Sequence, residues 1–172
     1  GVIGDFEIGK ESIGGLTLKP DAQQLVVTEA KMFSKLSSGV KNAGYFNQAA
    51  RNVACIAEVM RKAKRAPESL SRTGFFVVAP QSRIDEGVFA DHMDVENIRS
   101  VVERRVLEYE DPKRLQWFEK HFIPVLENSV IRCVPWEELL DEIRTVNPID
   151  ADHFHAFYIK CVRFNESVGH RY

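Results

Sequence analysis

Lys19-Pro20-Asp21-Ala22-Gln23-Gln24-Leu25-Val26-Val27-Thr28-Glu29-Ala30-Lys31 runs from a turn through an apolar strand to two opposite charges. Pro20 to Gln23 has turn chemistry: a proline that presets φ, then a short polar residue that can bond its own backbone. Leu25-Val26-Val27 is apolar at consecutive positions. Both faces of this strand therefore need cover, the pattern of a central strand. Residues two apart on a strand share a face, with Cα atoms about 6.5 to 7 Å apart. Glu29 and Lys31 thus leave the end of a buried strand on the side of Leu25 and Val27. An isolated charge is costly there, so the pair must meet a metal, each other, or solvent in a cleft.

Upstream, residues 2–8 and 13–19 have strand-like apolar content and are separated by Gly9-Lys10-Glu11. With residues 24–32 they read as an antiparallel meander. Downstream, a Ser- and Gly-rich connection leads to residues 45–65, where Phe46, Ala49, Val53, Ile56 and Met60 recur at helical spacing. A short buried strand over 74–79 ends at Pro80. Residues 95–109 form a second amphipathic helix with Asp94 as N-cap. Pro112 starts another helix that Pro124 kinks or ends. A strand over 130–134, a helix over 136–144, and helical spacing of Phe154, Phe157, Tyr158, Cys161 and Val162 complete the chain. The expectation is one α/β domain over 1–172: a mixed β-sheet with an N-terminal antiparallel meander, flanked by helices.

The 172 residues, 44% hydrophobic and 28% charged, exclude disorder and collagen. No apolar run approaches the ~18 residues of a spanning helix, so no membrane partner is expected. Cys55, Cys133 and Cys161 are few and scattered, which reads as reduced core thiols in a cytoplasmic protein and argues against structural zinc. The chain begins at Gly1, so further domains of a longer protein, or a homodimer, are among the expectations. Net charge is −2, but residues 31–84 carry ten Lys/Arg against Glu58 and Glu68, a balance of +8. Residues 85–152 carry seventeen Asp/Glu against eight Lys/Arg, a balance of −9. Such segregation suits a basic face toward a polyanion.

Pro20-Asp21, then Glu29-Ala30-Lys31 at the end of an apolar strand, then a helix bearing Gln48, resembles the PD-(D/E)xK nuclease superfamily of restriction-endonuclease-like fold. The resemblance covers residues 13–80. It implies Mg²⁺- or Mn²⁺-dependent hydrolysis of a DNA phosphodiester. Asp21, Glu29 and the Ala30 carbonyl would hold the metal, and Lys31 would orient or deprotonate the attacking water. The residue types suit that chemistry: Mg²⁺ takes oxygen ligands, and the reaction needs an activated water and neutralised charge at phosphorus. Lys35, Lys41, Gln48 and Arg51 are then the candidate nucleic-acid contacts.

Only seven residues separate Asp21 from Glu29, so a shared metal requires a bent entry to the strand. A regular meander instead sets Glu7 across Gly14 from Glu29, with Gly14-Gly15 leaving space for metal and phosphate. Asp21 ranks first, Glu7 second and Glu11 third. Two other readings stay open: a nuclease-like module that binds nucleic acid or a protein without cutting, and a structural Glu29–Lys31 ion pair in an ordinary α/β domain. His92, His153 and His155 read as surface or capping residues, and Trp117 and Trp136 as core. Ser37-Ser38-Gly39 lacks the ending of a P-loop.

Overall fold

The computed structural model describes residues 1–9 and 15–167. Glu11 and Gly14 therefore lie outside the described residues. The strands are β1 (Val2–Gly4), β2 (Phe6–Ile8), β3 (Leu16–Leu18), β4 (Gln24–Ala30), β5 (Arg72–Ala79) and β6 (Val130–Pro135). The helices are α1 (Gln48–Lys62), α2 (Gln81–Asp85), α3 (Ala90–Met93), α4 (Val95–Leu107), α5 (Pro112–Trp117), α6 (Ile123–Asn128), α7 (Trp136–Val146) and α8 (Pro148–Ser167).

A four-stranded sheet has the order β1-β4-β5-β6, and β2 and β3 make a separate two-stranded sheet. β4 runs antiparallel to β1 and parallel to β5, which is parallel to β6. The architecture is thus a mixed sheet flanked by helices, as the patterning implies, but the meander is not regular. β1 pairs with β4 (Val2 opposite Val27), whereas β2 turns away to pair with β3 (Phe6 opposite Leu18). The break falls at Gly4, with φ 155°. A Cβ there would stand 2.4 Å from the Gln24 carbonyl oxygen, so only glycine lets the chain leave β4 so closely.

Leu25 and Val27 of β4 and Phe75, Val77 and Ala79 of β5 face one core with Val53, Ile56 and Met60 of α1 and Ile98 and Val102 of α4. Asn47 caps α1: its Oδ1 accepts from the Ala50 N–H at 2.9 Å. Asp94 caps α4 as expected, accepting from the Asn97 N–H at 2.7 Å. Pro124 does not end its helix. Residues Phe118–Phe122 form a π-helical turn between α5 and α6, with the Ile123 N–H bonded to the Phe118 carbonyl, which widens the helix ahead of the proline that lacks a donor. α7 follows β6 directly and packs on α8, where Leu140, Ala151 and Tyr158 are buried. No helix among the described residues is long and apolar enough to cross a membrane. The three thiols expected in the core are all free and none is fully buried: Cys55 is exposed, Cys133 and Cys161 half-buried.

Candidate functional site

Because α1 connects parallel strands β4 and β5, the chain must return along the sheet. The N-terminus of α1 therefore lies toward the end of β4 that carries Glu29 and Lys31. Open α/β sheets place their ligand crevices at this carboxyl end of the strands.

Glu29 Oε1 bonds Lys31 Nζ at 3.0 Å, with the two side chains 26% and 14% exposed. Of the environments open to two such charges, they meet each other. The backbone around them is fixed. The Lys31 N–H donates to the Val78 carbonyl at 2.8 Å, and the Trp136 indole N–H donates to the Lys31 carbonyl at 3.0 Å. Trp136 is thus half-buried and fastens the start of α7 to the end of β4. In the β4–β5 ladder Ala30 stands opposite Val78. With the Lys31 N–H bonded to Val78, the peptide groups of Ala30 face the β1 side.

The second carboxylate is where geometry departs from expectation. Asp21 sits in the exposed turn before β4. From Gln24 to Glu29 the strand extends about 17 Å at ~3.3 Å per residue, so Asp21 is at the opposite end and shares no metal with Glu29. That turn is tied down by Arg65, whose Nη1 donates to the Pro20 and Ala22 carbonyls at 3.0 and 2.8 Å. Glu7 is not opposite Glu29 either. It pairs with Thr17 on β2 and β3 and has an interaction of its own. β3, which follows Gly15, pairs with β2 in the separate two-stranded sheet and not with β4. Among the described residues, no group of three or more His, Cys, Asp or Glu is placed to hold a metal.

Gln48 and Arg51 shape the connection 31–47. Gln48 Oε1 accepts from the Ser37 N–H at 3.2 Å while the Gln48 N–H donates to the Ser37 carbonyl at 3.0 Å. Arg51 donates to the Phe46 carbonyl at 2.8 Å and to Ser37 Oγ at 2.7 Å. Their first role is to staple the loop, and Ser37 is the residue stapled. Gly39 fits for a similar reason, since a Cβ there would stand 2.2 Å from the Gly44 carbonyl oxygen. Lys35 and Lys41 are exposed on this loop.

Sequence reasoning missed the neighbours at the same end of the sheet. Arg83 of α2 donates to the Phe33 carbonyl at 3.1 Å and pairs with Glu86. Glu137 accepts from the Gln81 N–H at 3.1 Å and from the Tyr158 hydroxyl at 2.6 Å. Burial, and then the Glu137 carboxylate, raise the Tyr158 hydroxyl above its ordinary pKa. The available signal was position: Arg83 and Glu137 each follow an apolar strand within a few residues. No protein-family model matches the chain, and comparisons with curated proteins and with solved structures find no match.

Proposed function

We propose that the chain hydrolyses DNA phosphodiesters with a divalent metal at the carboxyl end of β4. The observation that carries this reading is the Glu29–Lys31 pair, half-buried at 3.0 Å on one face of a central strand and close to the start of α1. A strand bearing Glu-x-Lys, then a helix, then a parallel buried strand beside it is the order that the nuclease resemblance implies. That supports the finer, restriction-endonuclease-like assignment of the fold.

For Mg²⁺ or Mn²⁺, the chain offers the Glu29 carboxylate and the Ala30 carbonyl. They suit a hard cation that keeps most of its waters and takes further oxygens from substrate phosphate. Bound there, the ion supplies an activated water and neutralises charge at phosphorus. Lys31 Nζ holds the Glu29 carboxylate at 3.0 Å. Were that carboxylate to hold the cation, the Lys31 ammonium would be placed to donate to the attacking water or a phosphate oxygen, a role for a compact cation. Asp21 and Glu7 have no part in this site.

The second reading, a module that binds without cutting, is favoured by one observation: among the described residues no group of three or more His, Cys, Asp or Glu is placed to hold a metal. Metal-dependent melting separates the two. Mn²⁺ at a hundredfold excess over its dissociation constant should stabilise the fold by about 2.7 kcal/mol. Glu29→Gln should erase that shift, while Asp21→Asn and Glu7→Gln keep it. No shift in the parent would favour the non-cutting module.

A further inference from the structure

A cavity of about 940 Å³ opens between α1, α4 and α5, on the helical side of the sheet. Six cations line it, Arg51, Arg61, Arg105, Lys113, Arg114 and Lys120, against the carboxylates of Glu58 and Asp111. Both acids are taken. Glu58 accepts two bonds from Arg61 at 2.8 Å, and Asp111 lies 3.9 Å from Arg114 and caps α5 through the Lys113 N–H. Arg105 is satisfied by Glu108 at 3.1 Å. Arg51, Lys113 and Lys120 have no carboxylate partner among the described residues, and two of them, Lys113 and Lys120, are exposed. Phe46 and Trp117 stand in the same walls.

We propose that this groove holds a single-stranded segment of nucleic acid and leads it to the Glu29–Lys31 end of β4. Two features select that ligand. Cations without a carboxylate partner among the described residues stand on α1 (Arg51), on α5 (Lys113) and just beyond it (Lys120), which suits a chain of phosphates better than one compact anion. Aromatic rings are interspersed with the cations, the combination used by single-strand channels, where bases stack and the backbone is neutralised. Arg51, in the first turn of α1, lies at the end of the groove that adjoins the connection from Lys31. The destination rests on the phosphodiester reading above; the groove itself does not.

Fluorescence anisotropy with a labelled oligothymidylate, and with a duplex of equal length, tests the groove in EDTA, where no metal-dependent cutting can occur. Lys113→Glu/Lys120→Glu changes two exposed side chains, with folding checked by circular dichroism. Lys160→Glu on α8 is the control. The double variant should bind the single strand at least tenfold more weakly and flatten its salt slope by about 1.4, at ~0.7 per phosphate contact. Lys113→Arg/Lys120→Arg should retain binding, and Lys160→Glu should match the parent. Equal affinity in the parent and the Glu double variant, or no single-strand binding by the parent at low salt, would overturn the groove. A parallel Mg²⁺ cleavage assay keeps the proposals apart. Cutting without any effect of the Glu double variant removes the groove alone, whereas groove-dependent binding without cutting removes the hydrolytic reading alone.

Discussion

Glu29 and Lys31 sit between two regimes. Exposed ion pairs contribute little, while removing one partner of a fully buried pair costs about 3 to 5 kcal/mol. At 26% and 14% exposure, each charge is partly desolvated. In the absence of metal, Glu29→Gln and Lys31→Met should each lower stability by about 1 to 2 kcal/mol, with the double variant recovering part of the loss. Urea unfolding of the four proteins checks this; additive losses would mean that the pair has no coupling. The pair was legible from the sequence because period-two alternation fixes which side chains share a face. Asp21 was misplaced for an equally local reason. The Pro-Asp spelling carries no information about which end of the strand the aspartate occupies.

Local patterning located most elements, including α1, α4, β5 and the cap at Asp94, because amphipathic spacing and capping residues act within a few positions. Strand pairing was less legible. Val2–Ile8 reads as one apolar run, yet the bend at Gly4 divides it between two sheets, a consequence of contacts with Gln24 that no local pattern reveals. The loop 31–47 likewise depends on distant bonds. Its anchor is the buried cap Asn47, so Asn47→Ala should cost about 1 to 2 kcal/mol, read as a lower urea midpoint with unchanged slope. A loss within error would show that the loop is held by Gln48 and Arg51 alone. At the same end of the sheet, Tyr158 joins α8 to Glu137. Its folded pKa is raised, so the folded state keeps the proton more tightly than the unfolded chain. The stability it contributes is complete below the unfolded value near 10 and declines as pH rises above it. Melting between pH 8 and 11 should show that decline in the parent and a shallower one in Tyr158→Phe; parallel profiles would exclude Tyr158 as its source.

Over the whole molecule, local charge sums proved a poor guide to surfaces. The segment 31–84 is strongly basic, but the groove takes only Arg51 and Arg61 from it. Arg105, Lys113, Arg114 and Lys120 come from the net-acidic segment 85–152, brought beside α1 by helix packing. On the α7–α8 pair Val146, Ile149, Phe157 and Phe164 stay exposed. Whether the groove and the carboxyl end of β4 act together depends on whether Glu29 supports phosphodiester cleavage. Nicking of supercoiled plasmid in Mg²⁺ or Mn²⁺, compared between the parent and Glu29→Gln, tests that most directly. The parent should cut only with metal, and the variant should be at least about 10²-fold slower, as when one transition-state contact is removed. A parent that cuts no DNA with either metal, or a variant that cuts at the parental rate, would contradict the assignment.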